Sequence, residues 1–355
     1  MPDASPFPGP ALAERLRGRA AAVLDRTPAA FRRRLAGGEP VVIDGQTFDP
    51  TLQAVLALDP RGDRGRMIRE DPVGARALLR REALAVQLNP TPVAGVRDLT
   101  IDGADDSLDA RLYTPPGGGR PPLLVYFHGG GFVSGDLDTH DEPCRLLCRE
   151  AGHVVLSVAY RRAPEHPFPA AHDDALAAFR WAQDHALHLG ADPTHVTVGG
   201  DSAGANLATA TAQATRDDRP PAAQLVIYPT VDTPTDRPSR SLFDGFFLAD
   251  SERSGYFEVY TRRTDAPADD PRLSPIYGPL DGLAPALVVV AGFDVLRDES
   301  EAYAEALRAA GSRVLMQREP SLPHGFVNMT GVSRTARRAT AEMAHRWHEV
   351  VATVR

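Results

Sequence analysis

The stretch Val196-Thr197-Val198-Gly199-Gly200-Asp201-Ser202-Ala203-Gly204 decides the architecture. His195 to Val198 suit a strand, and Ala203 to Ala210 make a helix of small residues. Between them, glycines stand two residues either side of Ser202, as a strained strand-to-helix turn requires. At such a bend the two backbones come too close for side chains at Gly200 and Gly204. The turn lifts Ser202 above the sheet edge and aims the amide of Ala203 at whatever sits on the serine oxygen. Ser202 is therefore a candidate nucleophile. A bare G-x-S-x-G also arises by chance, so the reading depends on the rest of the chain.

Working outward, short β-branched runs recur at Leu123 to Phe127, Val154 to Val158, Val196 to Val198, Leu225 to Tyr228 and Leu287 to Val290. Helical segments separate them, at His140 to Ala151, Ala170 to Leu189, Ala203 to Arg216 and Asp298 to Ala310, and Val332 to Val354 closes the chain. Continuous apolar strands alternating with helices predict a doubly wound α/β fold on a buried parallel sheet. Val96 to Ile101 and Leu108 to Tyr113 alternate instead, as an edge hairpin would. Residues 1–92 read as an N-terminal helical segment with no convincing strand, bounded by Pro90 and Pro92. Its first forty or so residues have no evident purpose. Residues 230–273 carry no strand signal either. A structureless loop of that length is uncommon in a compact domain, so this insertion reads as a helical lid. The core is then 93–229 plus 274–355.

A serine hydroxyl needs a base to activate it, and the base needs an acid to orient it. On a serine turn of this type the partners follow in the order acid, then histidine. Asp294 stands directly past the strand Leu287 to Val290, where a carboxylate protrudes from the carboxyl edge. Asp298, four residues on, reads as a helix N-terminal charge. His324 follows the candidate strand Arg313 to Arg318, whereas the later His345 and His348 fall in the amphipathic C-terminal helix. Upstream, Phe127-His128-Gly129-Gly130-Gly131-Phe132 ends another strand. Its glycines leave backbone amides unobstructed, so Gly129 and Gly130, with Ala203, are candidate donors to an oxyanion. Phe132, Phe243, Phe246, Phe247 and Phe326 are candidate substrate-pocket walls.

Composition narrows the alternatives. The net charge of −8 argues against a general nucleic-acid surface. All 39 basic residues are arginine, which removes Schiff-base lysines, Ser-Lys dyads and Walker-type phosphate loops. The pairs His185/His188 and His345/His348 lack a third ligand pattern, so no metal is expected. Cys144 and Cys148 read as two buried free thiols. Met1 to Ser5 begin no signal peptide and no apolar run approaches a membrane span, which leads to the expectation of a cytoplasmic protein without a membrane partner.

Together, His128-Gly129-Gly130-Gly131, Gly200-Asp201-Ser202-Ala203-Gly204, Asp294-Val295-Leu296-Arg297-Asp298, His324-Gly325-Phe326 and the run Tyr160 to Ala170 resemble the hormone-sensitive-lipase-like esterases, bacterial family IV. The resemblance covers about residues 93 to 355. It implies an eight-stranded α/β-hydrolase core under a helical cap built from the N-terminal segment and the insertion. It also implies hydrolysis of short- to medium-chain carboxylic esters without metal or cofactor. Members often form a homodimer through the last strand, here Arg313 to Arg318, and monomer and homodimer both stay open for this sequence. Ala205 stands where many members carry glycine, Phe132 where tryptophan is frequent, and Val295 where proline is frequent. Two alternatives stay open: an amidase or deacetylase with the same three side chains, and a non-catalytic ligand receptor on the same scaffold. The receptors of this kind lose the histidine, which His324 supplies here.

Overall fold

The apolar runs become the strands of one eight-stranded sheet in the computed structural model, which describes residues 9–58 and 63–354. Met1 to Ser5, read above for a targeting signal, lie outside the described residues. The sheet strands are β1 (Gly95–Asp102), β2 (Ser107–Thr114), β3 (Leu123–Phe127), β4 (Val154–Val158), β5 (Val196–Asp201), β6 (Gln224–Ile227), β7 (Ala286–Phe293) and β8 (Val314–Pro323). Their spatial order is β8-β7-β6-β5-β3-β4-β2-β1. β2 runs antiparallel to both β1 and β4, and every other pairing is parallel. Strands β3 to β7 are buried at every residue, because crossover helices cover both faces.

The N-terminal segment forms α1 (Leu12–Leu24), α2 (Ala29–Leu35), α3 (Pro50–Leu58), α4 (Arg64–Glu70) and α5 (Pro72–Val86). Next come α6 (Asp141–Ala151), α7 (Ala170–His185) and α8 (Ala203–Ala214) in the core, and α9 (Pro238–Leu242) and α10 (Asp250–Thr261) in the insertion. The chain then closes with α11 (Arg297–Ala309) and α12 (Arg334–Ala352). Alternate residues of β3 divide between two cores. Leu123, Val125 and Phe127 meet Phe179 and Leu207 on one face, while Leu124 and Tyr126 meet Leu147 and Trp347 on the other. Cys144 and Cys148 are free and buried on α6.

One expectation for the N-terminal segment fails. Val42–Ile43 and Gln46–Thr47 pair as a two-stranded antiparallel ribbon around Asp44-Gly45, both with positive φ. Strands this short carry no periodicity, and the Asp-Gly dipeptide was the signal available.

Two long-range packings hold the helical segments together. α1 crosses α5 at Gly18, where a Cβ would fall 2.0 Å from the Ala85 carbonyl oxygen. α4 meets α10 through the Arg69–Glu258 ion pair at 2.7 Å. No helix among the described residues is long and apolar enough to cross a membrane.

The topology prepares a site. From β3 the chain moves outward to β4, then returns to place β5 on the opposite side of β3. The crevice at such a switch point opens at the carboxyl ends of the strands, where the His128 loop and Ser202 both emerge.

Candidate active site

Ser202 has φ 56° and ψ −119°, a conformation costly for any residue with a Cβ. The turn is held from outside: the Ser202 amide donates to the Ile227 carbonyl at 2.9 Å. A Cβ at Gly200 would lie 2.3 Å from the Phe127 carbonyl oxygen and one at Gly204 1.9 Å from it, so neither position accepts a side chain. The close approach follows from register, since Phe127 pairs directly with Gly200.

Register also brings the other two side chains together. β8 continues past a bulge so that Pro323 pairs with Phe293, one residue before His324 and Asp294 respectively. His324 Nδ1 lies 2.8 Å from Asp294 Oδ2, and His324 Nε2 lies 2.9 Å from Ser202 Oγ. Asp294 Oδ1 accepts the Leu296 amide at 2.9 Å, which fixes the carboxylate plane. Burial alone would lower the His324 pKa, but the Asp294 charge and hydrogen bond outweigh it and raise the pKa above its usual value. Asp298 is elsewhere: it accepts the Ser239 amide at 2.9 Å and pairs with Arg297 at 2.8 Å.

The glycine loop requires a correction. The Gly129 amide is not available to a ligand, because it donates to Asp201 Oδ1 at 2.9 Å. Gly130 and Gly131, with φ of 121° and 62°, face the cavity beside Ser202, and their amides find no acceptor among the described residues. The amide of Ala203, at the first turn of α8, is likewise without an acceptor there. A side chain at Gly131 would strike Tyr256 Cγ at 2.3 Å. The available donor set is thus Gly130, Gly131 and Ala203.

Asp201, inside the serine motif and given no role by sequence pattern, organises the site. It accepts from Tyr126 Oη at 2.8 Å as well as from Gly129, and His140 Nε2 stands 3.4 Å away. Burial opposes its ionisation, but His140, Tyr126 and the Gly129 amide together hold its pKa below the usual carboxylate value. Tyr228 also reaches Asp201, at 3.4 Å, and its ring packs on His324 with centroids 4.6 Å apart.

The five phenylalanines separate. Phe132 and Phe247 line the cavity above Ser202. Phe243, Phe246 and Phe326 do not: the first two join Phe48 and Phe293 in an aromatic cluster, and Phe326 packs on Tyr228. Phe293 at the end of β7 draws that cluster into the core. Tyr256, Phe257 and Leu248, from α10 and the loop before it, take their place in the wall. Both aromatics lie in the 230–273 insertion that the sequence reads as a lid.

Comparison with known proteins agrees with this architecture. A family profile described as alpha/beta hydrolase fold matches residues 124–328. The carboxylic ester hydrolase LipN of Mycobacterium tuberculosis is 47% identical over 317 residues, spanning 86% of this chain and 84% of its own. Carboxylesterase NlhH of the same species is 38% identical, over 75% of this chain and 85% of its own. Among solved structures, an ester hydrolase from the Lake Arreo metagenome superposes with a TM-score of 0.80 at 34% identity, covering 92% of this chain and 99% of that one. The chain belongs to the hormone-sensitive-lipase-like family IV of α/β hydrolases. It is a carboxylic ester hydrolase.

Proposed function

We propose that Ser202 is the nucleophile, His324 the general base and Asp294 its orienting acid. The observation that carries this is the unbroken line from Asp294 Oδ2 through the imidazole to Ser202 Oγ, at 2.8 and 2.9 Å. His324 Nε2 takes the hydroxyl proton as Ser202 Oγ attacks the ester carbonyl. Charge on the carbonyl oxygen is received by the amides of Gly130, Gly131 and Ala203, each such donor supplying about 3 kcal/mol of transition-state stabilisation. His324 returns the proton to the departing alkoxide, releasing the alcohol and leaving an acyl-serine. Water, deprotonated by the same imidazole, then attacks the acyl carbon, and Ser202 Oγ leaves with the proton.

In this reading, α1 to α5 and the insertion act as the cap that walls the substrate cavity over Ser202. A receptor role is disfavoured, since His324 stands in position to serve as base. Wild type and Ser202→Ala assayed in parallel on p-nitrophenyl butyrate test the assignment. Turnover in the wild type alone supports it; equal turnover by a folded Ser202→Ala protein overturns it.

A further inference from the structure

A cavity of about 910 Å³ contains Ser202 and His324 in its wall. The same wall includes Ala21 and Leu24 of α1, Leu52 of α3, and Leu79, Ala83 and Val86 of α5. Ligand pockets span roughly 300 to 1,000 Å³, so this one is near the upper end, and a short acyl group would leave most of it unfilled. The carboxylates on the N-terminal side are neutralised: Glu14 pairs with Arg81 at 3.3 Å and Glu82 with Arg64 at 2.6 Å. Apart from Arg17 of α1, which also lines this side, what remains there is aliphatic. The wall is also fixed in place, because Gly18 seats α1 directly on the α5 backbone. Leu35 and Leu58, 47% and 68% exposed, extend this lining to the protein surface.

We infer that the N-terminal helices build a compartment for a long aliphatic chain, and that the substrates include long-chain carboxylic esters. The inference rests on the ester-hydrolysis reading above and departs from the short- to medium-chain range that the family resemblance implied. Each additional methylene buried in the compartment contributes about 0.8 kcal/mol, so the chain itself supplies binding energy. α1, within the first forty or so residues that had no evident purpose in the sequence, thereby becomes part of the wall that sets chain length.

The test compares kcat/KM for p-nitrophenyl esters from butyryl to palmitoyl, together with ethyl and dodecyl acetate, in wild type, Ala21→Trp and Ala83→Phe. In the wild type, kcat/KM should rise with chain length on the acyl or the alcohol side, and the rising series shows which side occupies the compartment. Each variant should lose at least about tenfold on the long member of that series, the equivalent of two lost methylenes, while butyrate stays within about twofold. A wild type that turns over butyrate but neither palmitate nor dodecyl acetate overturns the inference, whether or not the variants fold. So does an equal loss on short and long esters in folded variants. Absence of Ser202-dependent butyrate turnover would instead remove the ester-hydrolysis assignment of the three side chains.

Discussion

The Gly129 amide donates to Asp201 Oδ1 at 2.9 Å, tying the end of β3 to the residue immediately before Ser202. One buried carboxylate therefore sets the distance between the glycine loop and the serine turn. Asp201→Ala would leave the Tyr126 hydroxyl and the Gly129 amide buried without this acceptor. Each such group costs about 1–3 kcal/mol, so unfolding in denaturant should show a loss of about 3 kcal/mol. Because the loop shifts relative to Ser202, kcat should fall more than KM rises. Unchanged stability and kcat would show that the loop is held by other contacts.

Asp294 and Asp298 differ in what they touch, and the difference is measurable. Asp294→Asn should lower kcat by about four orders of magnitude through loss of imidazole orientation. Asp298, bound to Ser239 and Arg297, contacts neither His324 nor Ser202. Asp298→Asn should therefore stay within about tenfold of wild type. The opposite ranking would transfer the acid role to Asp298.

The raised pKa of His324 has a definite sign in the rate profile. A general base works only when neutral, so kcat/KM should climb with pH through a midpoint above the ordinary histidine value of about 6.5. Removing the Asp294 charge should move the midpoint of the residual activity downward. A wild-type midpoint below about 6.5 would contradict the Asp294–His324 coupling.

Stability should respond to acid through a different set of histidines. Burial, with nearby cationic groups, pushes His128 and His153 down to about 3, and burial pushes His172 to about 4. Their folded pKa values lie below the unfolded value, so below about pH 6.5 the unfolded chain binds more protons. Stability is lost as pH falls from there toward the folded values, by up to about 1.4 kcal/mol per pH unit for each histidine. Neither His153 ring nitrogen has a partner among the described residues, and the ring packs near Trp347 at 6.3 Å. His153→Phe should flatten the slope of thermal stability between pH 6.5 and 4 by about one histidine's share. An unaltered slope would show that His153 does not contribute.

Local pattern was enough for much of this molecule. Continuous apolar strands between helices dictated the parallel sheet, because a strand covered on both faces has no polar positions to alternate. Two glycines around Ser202 dictated the sharp turn, because only glycine tolerates the approach to the Phe127 carbonyl. Asp294 and His324 stood out because each follows an apolar strand, and in a parallel sheet successive strand ends fall on one edge. What lay beyond local pattern depended on register and on contacts far apart in sequence. The bonding of Gly129 to Asp201, which shifts the open amides to Gly130 and Gly131, follows from how β3 sits beside β5. Whether a phenylalanine faces the cavity or the Phe48–Phe293 cluster depends on tertiary neighbours, since its hydrophobicity suits either. The place of α1 over the cavity was decided by Gly18 meeting the backbone at Ala85, 67 residues away. A missing side chain leaves no mark in periodicity until the helix it admits is seen in place.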